Sequence, residues 1–287
     1  MRRTPCLALG LRPLHSYGMD PLAPLIASLH AEGRLRVWSL VITVFGDCVQ
    51  HRGGRISTAR LQRLLGRIGV EPGALRTALS RLGRDGWVES ERAGRSSEYR
   101  LSQQGLMRFT EATGRIYAPP QSGPIHGWTL SLDEGGPQGF TLGGLRLRPQ
   151  NQALPDAGFR LEGQITALSP ALRASLISAP FRAALDHLFA DLAHLTTTDL
   201  DPLDACAARI LLIHRWRRIV LRHPDLPAEL LPDDLPEPPR SAVARTYARL
   251  SPQAEAWLDL AQPDMPAMPS PPASHRGAIS RRFAQGA

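Results

Sequence analysis

Apolar residues recur three and four positions apart through most of the first 118 positions, which predicts a succession of amphipathic helices. Leu22, Leu25, Ile26 and Leu29 fall on one side of a short helix over residues 21–32. Trp38, Val41 and Val44, with Phe45 or Leu40, give residues 36–47 an apolar stripe, with Gly46 near its end. Two glycines in His51-Arg52-Gly53-Gly54-Arg55 permit a tight turn. A second helix then starts with Ser57 or Thr58 as cap and carries Leu61, Leu64, Leu65 and Ile68 on one face. Gly69 stops it, and Pro72 fits the first turn of a third helix over residues 72–83. There Leu75, Ala78, Leu79 and Leu82 point inward, leaving Arg76, Thr77, Ser80, Arg81 and Arg84 outward. Residues 87–92 and 98–101 read as two strands around Ala93-Gly94-Arg95-Ser96. Three helices followed by a hairpin are the order of a winged helix-turn-helix. One more helix, over residues 102–117, would bury Leu106, Phe109, Ala112 and Ile116.

Beyond the proline-rich linker at Pro119-Pro120 to Pro124 the pattern changes to short strands: residues 128–132, 140–142, 145–147 and 159–165. Helices return at residues 175–194, 202–223 and, with breaks, 240–260. A rigid proline-rich corner at residues 224–232 separates the last two. The fold class is therefore α+β and multidomain. The divisions are an N-terminal arm and short helix at 1–33, a winged helix-turn-helix at 34–118, and a small β-containing unit at 119–169. A helical C-terminal domain at 170–262 and a disordered tail at 263–287 complete the chain.

Charge sharpens the picture of the first helical unit. Residues 34–118 hold fifteen Arg against seven Asp and Glu, a surplus of +8 that equals the net charge of all 287 residues. A polyanion, duplex DNA above all, suits such a module. Every basic residue is Arg, which binds phosphate and guanine in a fork that Lys cannot copy. Arg76, Ser80 and Arg84 recur at fours with Thr77 and Arg81 beside them, so one helix face combines guanine-type forks with short donors. Arg92, Arg95 and Ser96 at the wing, with Arg52 and Arg55 near the second helix, suit phosphate contacts. RNA fits less well, because the wing has no aromatic platform beyond Tyr99.

Other chemistries find little footing. Cys6, Cys48 and Cys206 are far apart, which argues for a reducing compartment and against a disulfide framework. The apolar run from Cys6 ends at Arg12-Pro13, too short for an export signal, and no segment approaches a membrane span, so the expected location is the cytoplasm. No nucleophile elbow, phosphate loop or His-Glu-x-x-His occurs, and there is no Lys for a Schiff base, so no catalytic residue is assigned. His187 and His194 near Asp191 could hold a metal but read better as surface histidines, and no metal is expected. Asp199, Asp201 and Asp204 read as helix-capping residues.

Several blocks resemble the PaaX family of phenylacetate-degradation repressors. In the first half they are Val44-Phe45-Gly46-Asp47, Arg52-Gly53-Gly54, Arg76-Thr77-Ala78, Asp85-Gly86-Trp87, Ser90-Glu91-Arg92 and Tyr99-Arg100-Leu101. In the second half Leu211-Leu212-Ile213-His214, Arg217-Arg218, Leu221-Arg222 and the corner 224–232 look like that family's C-terminal domain. The resemblance implies a homodimeric repressor that binds palindromic operator DNA and releases it on binding an aryl-acyl-CoA, phenylacetyl-CoA in the founding members. It also implies a ferredoxin-like middle unit. Here residues 132–139 leave no room for the usual helix after the first strand, so the unit is expected to be a degenerate version. For the effector, Arg215, Arg218 and Arg222 lie near one helical face suited to coenzyme A phosphates, with His214 adjacent and Trp216 able to stack on a ring. The competing structural reading, placed ahead, pairs these arginines with Asp225, Glu229, Asp233 or Asp234. Two functional rivals stand beside the repressor: a DNA-binding assembly module without ligand switching, and an acyl-CoA-processing enzyme with a vestigial DNA module.

Overall fold

The stretch Ala205–Trp216 has no polar stripe wide enough to face water, and a helix that is apolar nearly all round belongs inside. The computed structural model puts it there; it describes residues 20–33, 35–93, 96–132, 140–142, 144–150, 158–271 and 282–284. In chain order the helices are α1 (Ala23–Ala31), α2 (Val37–Val44), α3 (Thr58–Arg67), α4 (Pro72–Arg84), α5 (Gln103–Ile116) and α6 (Pro170–Ser175). They continue with α7 (Ala179–Thr197), α8 (Pro202–Arg222) and α9 (Pro239–Asp259). Helix α8 is the axis of the core: α1, α2, α3, α5, α7 and α9 all pack on it. Residues 34–118 and 170–262, expected as separate domains, thus share one continuous apolar core. Helix α9 runs unbroken through Pro252, where breaks were expected, because Val243, Tyr247, Leu250, Ala254 and Leu258 are buried along its length.

Two antiparallel sheets complete the α+β architecture among the described residues. The first joins β1 (Arg55–Ser57), β2 (Val88–Ala93) and β3 (Ser96–Leu101) in the order β1-β3-β2, with Ile56 opposite Tyr99 and Val88 opposite Leu101. Strand β1 is an addition to the expected hairpin; it begins at Arg55, the last residue of the segment read as a turn, and runs to the Ser57 cap. The second holds β4 (Trp128–Leu132), β5 (Phe140–Leu142), β6 (Leu145–Pro149) and β7 (Phe159–Gly163) in the order β5-β6-β4-β7. Leu130 faces Leu147 on one side and Leu161 on the other.

Helix α2 passes directly into one π-helical stretch, Phe45–Val49, and this irregular turn carries the most heavily charged part of the interior. Gly46 is required there: a Cβ at this position would come within 2.3 Å of the Phe109 ring. Leu106, expected on the buried side of α5 with Phe109, is instead largely exposed, since α5 turns Gly105 and Ile116 toward the core. Asp47 is fully buried and accepts hydrogen bonds from the Tyr117 and Tyr247 hydroxyls at 2.9 and 3.0 Å. The Arg209 guanidinium lies 2.8 Å from its other oxygen, and Arg282 reaches the oxygen the tyrosines share at 3.1 Å. Glu255 extends the chain of charges to Arg209 at 2.7 Å and to Arg52 at 2.7 Å. Arg282 and Phe283 belong to the tail expected to be disordered; with Met265 and Met268 they are packed instead, because Arg282 answers a buried carboxylate and Phe283 meets the Tyr117 and Tyr247 rings.

Burial alone would raise the Asp47 and Glu255 carboxyls. Arg209 and Arg282 at Asp47, and the His51 imidazole 3.6 Å away together with Arg209 at Glu255, override it, so both titrate below their ordinary ranges. Groups depressed in the folded state contribute stability that is complete above their unfolded values, near pH ~4, and is lost as pH falls through the folded values. The share of stability that these two carboxylates contribute should therefore be lost below about pH 4, seen as a steep fall of the denaturant midpoint there at constant ionic strength. A midpoint that rises on acidification would contradict this coupling.

Candidate nucleic-acid interface

Helix α3 begins at Ser57, whose side chain accepts the Arg60 backbone N–H at 3.2 Å; the cap is Ser57 rather than Thr58, which instead bonds the Ser97 carbonyl at 2.8 Å. Gly69, with φ +87°, turns the chain sharply after α3, and Pro72 opens α4. The α4 faces separate cleanly. Leu75, Ala78, Leu79 and Leu82 are buried, while Arg76, Thr77, Ser80, Arg81 and Arg84 are exposed. Arg81 meets Asp85 at 3.5 Å, a pair more than half exposed at both ends and so weak. Arg76 and Arg84 have no ion pair among the described residues. These cations are free to meet an external anion. Arg63 is exposed on α3 and likewise without an ion pair among the described residues; it sits outside the apolar stripe that defines α3, so the sequence pattern does not single it out.

The remaining cations divide. Arg92 is exposed on β2. Arg55 is exposed but bonds Glu91, and Arg100 bonds Glu89 and Glu91 at 2.8 and 3.0 Å, so the base of the hairpin is internally neutralised. Arg95 and the Ser96 side chain lie outside the described residues. Arg52, expected to face phosphate, is buried and bound to Glu255 and to Asp259 at 2.7 Å. Its charge is consumed by α9. Arg60 is buried too, donating to the carbonyls of Trp257, Leu260 and Pro266.

The residues assigned to an effector scatter and partly regroup. Arg215 is buried against Glu32 and, at 2.6 Å, Asp191. Trp216 is buried, donating its indole N–H to the Ile116 carbonyl at 2.9 Å, with the Arg240 guanidinium over its ring. It borders a cavity of about 910 Å³ between the 119–127 segment and α8 and α9. Neither Arg215 nor the Trp216 indole N–H is free for a ligand in this arrangement. The pairing expected in the structural reading is not formed: Asp225 bonds Arg240, Glu229 bonds Gln121, Asp233 bonds Arg173, and Asp234 bonds Arg182, while Arg215 and Arg218 turn to carboxylates outside the corner. Arg218 bonds Glu32 at 2.7 Å and Arg222 is exposed. His214 is buried beside Thr43 at 3.1 Å, its pKa pushed down to about 3 by burial and then by Arg217 and Arg218, so it is neutral. His214, Arg218 and Arg222 line the same cleft as Thr77 and Arg81 of α4. His187 and His194 do not converge on a metal: His187 faces Glu32, and His194 bonds the Pro21 carbonyl. Asp201 caps α8, and Asp204 pairs with Arg67 at 2.5 Å.

Comparison with known proteins accounts for both halves of this arrangement. Residues 36–105 match the model of the PaaX-like protein family, and residues 177–260 match that of the PaaX-like protein C-terminal domain. The chain is 31% identical over 259 residues, covering 77% of it and 82% of the relative, to the transcriptional repressor PaaX of Escherichia coli (strain K12). The chain belongs to the PaaX-like family. The first matched segment spans α2 through the start of α5, and the second runs from just before α7 to just past the end of α9, so the PaaX-like core is the assembly built around α8. Among solved structures, the uncharacterized protein Rv0674 from Mycobacterium tuberculosis aligns with a TM-score of 0.45 at 19% identity, over 76% of this chain and 97% of that one. No helix among the described residues is long and apolar enough to cross a membrane.

Proposed function

We propose that this PaaX-like protein is a cytoplasmic DNA-binding transcriptional repressor and no enzyme. In this reading α2 to β3 act as a winged helix-turn-helix, α4 enters the major groove, and the β2–β3 hairpin serves as the wing. The observation that carries it is the division of α4, with its four apolar residues buried and Arg76, Thr77, Ser80, Arg81 and Arg84 all outward. Such a face offers forked donors to guanine and short donors to other base edges and phosphates. The relative named a transcriptional repressor supports the same reading. Two copies of the chain, related by a two-fold axis, would set their α4 helices in successive major grooves about 34–36 Å apart. The genes are those of aromatic-acid catabolism, and an aryl-acyl-CoA releases the operator by binding more tightly to the state that cannot hold DNA.

Fragments of the organism's own DNA selected on the protein supply the operator for the test. Arg81→Ala should weaken operator binding by about 1–3 kcal/mol and relax its sequence preference, whereas Arg92→Ala should weaken operator and random duplex alike. Equal losses on operator and random DNA for Arg81→Ala would overturn base reading by α4. Titrating acyl-CoA thioesters into the complex separates the switching repressor from a non-switching assembly module, for which no thioester releases DNA. Turnover of a bound thioester would favour the enzyme instead.

A further inference from the structure

Arg282 and Phe283 stand near the end of the chain, well past α9, yet Phe283 is buried and Arg282 nearly so. One end of the Arg282 guanidinium, Nη1, donates to the Asp47 carbonyl at 2.6 Å, the Asp47 carboxylate at 3.1 Å and the Tyr247 hydroxyl at 2.8 Å. The other end, Nη2, donates to the Gly46 carbonyl at 2.8 Å and lies 3.4 Å from His51 Nδ1. The central carbon of the group sits over the Tyr117 ring, 4.5 Å from its centroid. Phe283 meets the Tyr117 and Tyr247 rings at 5.5 and 5.4 Å, and its backbone N–H donates to the Tyr117 carbonyl at 3.0 Å. A planar fork suits this recess. An ammonium has neither a second donor end nor a flat face for the ring.

The walls of the recess are held by elements other than the pair that fills it. Residues 46 and 47 lie near the end of the helical run from α2 through Val49, where carbonyls lack helical partners and their dipoles favour a cation. Asp47 faces Arg209 at 2.8 Å whether or not Arg282 is present. Tyr117 follows α5 directly, and Tyr247 is buried within α9. The pair itself is not in its preferred shape. Phe283, at φ +62°, is the one non-glycine residue with positive φ among the described residues, a left-handed backbone that a bulky side chain avoids. The recess therefore dictates the pose of the pair, as a binding site does for its ligand.

We propose that this recess is a peptide-recognition site for an arginine followed by an aromatic residue, and that the chain's own Arg282-Phe283 occupies it as a detachable ligand. The walls come from both matched family segments, Gly46 and Asp47 from the first and Tyr247 from the second, with Tyr117 between them. Occupancy ties these segments together. Departure of the pair opens the tie and leaves the recess formed, because Asp47 keeps Arg209 and the two tyrosine hydroxyls. The site stands apart from the DNA assignment of α4 and does not depend on it.

The test is made on the full-length chain with the pair removed by the double substitution Arg282→Ala and Phe283→Ala. A synthetic peptide of residues 279–287 is titrated into it by calorimetry, and one peptide per chain is expected to bind. The parent should bind the peptide at least about tenfold more weakly, because its tethered pair competes at an effective concentration on the order of millimolar. Arg282→Lys in the full chain keeps the charge without the fork and should give an affinity between the two. In the peptide, Arg282→Lys or Phe283→Ala should each weaken binding to the double variant by about tenfold, through lost charge-assisted hydrogen bonds or lost aromatic contact. The double variant should keep the circular dichroism of the parent, melt at a lower temperature, and regain part of the difference with saturating peptide. A double variant without native circular dichroism would show that the pair belongs to the core and would overturn detachment. A folded double variant that ignores the peptide, or that binds the altered peptides equally well, overturns the recognition site. Equal affinity in parent and double variant places the peptide elsewhere and overturns it too.

Discussion

Asp47→Ala is expected to destabilise the fold by about 3–5 kcal/mol, the range found when one partner of a buried ion pair is removed. The size follows from what is left behind. Arg209 is fully buried, and its Nε faces Asp47 at 2.8 Å; after the substitution its carboxylate partner is Glu255 alone. Arg282 keeps neutral partners, the carbonyls of Gly46 and residue 47, the Tyr247 hydroxyl and His51 Nδ1, and no carboxylate among the described residues. The Tyr117 and Tyr247 hydroxyls lose the acceptor they share. Burial without pairing is the costly state, so the loss exceeds that of any surface bridge. Asp47→Asn keeps the shape and an acceptor oxygen but removes the charge, and it should fall between Ala and the parent. Urea titration should show the midpoint falling at constant m-value. A loss under about 1 kcal/mol would mean that the arginines are satisfied by other groups. The network joins the π-helical turn, α8, α9 and residues 282–283, so its failure would also loosen the base on which α3 and α4 rest.

The parts of this fold that could be read from the chain are those whose signal is local. Helix α4 carries its own punctuation, Gly69 and Pro72 before it and apolar residues at the helical spacing within it, and its buried and exposed faces match that pattern residue by residue. The strands of the second sheet fall close to where the short strand-like runs place them, β6 running on to Pro149 and β7 ending at Gly163. Long-range pairing is another matter. Arg52 sits in a Gly-rich turn beside basic neighbours and reads as a phosphate contact; only Glu255 and Asp259, some two hundred residues away, show that its charge is internal. Arg60 is taken up by carbonyls at the far end of the chain in the same way. A surplus of charge counted over residues 34–118 therefore overstates what faces solvent. Strand β1 is three residues long and gains its structure from β3, so no pattern of its own could announce it. The cleft beside α4 is the clearest case. Thr77 and Arg81 come from one matched family segment and Arg218 and Arg222 from the other, and nothing in either stretch says that they meet.

The separation between surface and interior arginines yields the largest functional effect. Operator affinity should fall by about 10³–10⁵ between about 50 mM and about 200 mM salt, as for proteins that neutralise some six to ten phosphates. Arg76, Arg84 and Arg92 are exposed cations available to phosphate, and the two chains proposed for each operator bring their number to about six, within that range. Counterions released from the duplex drive the association, so the slope of log affinity against log salt reports how many of these arginines lie on phosphate. Arg84→Ala should lower that slope by about one for each chain. Arg52→Ala should lower stability while leaving the slope unchanged, because its guanidinium is bound to Glu255 and Asp259 inside the protein and displaces no counterion. The opposite pattern, a slope sensitive to Arg52 and indifferent to Arg84, would move the DNA surface off α4 altogether. A nearly flat dependence would mean that α4 does not lie against a phosphate backbone, whatever else the protein binds.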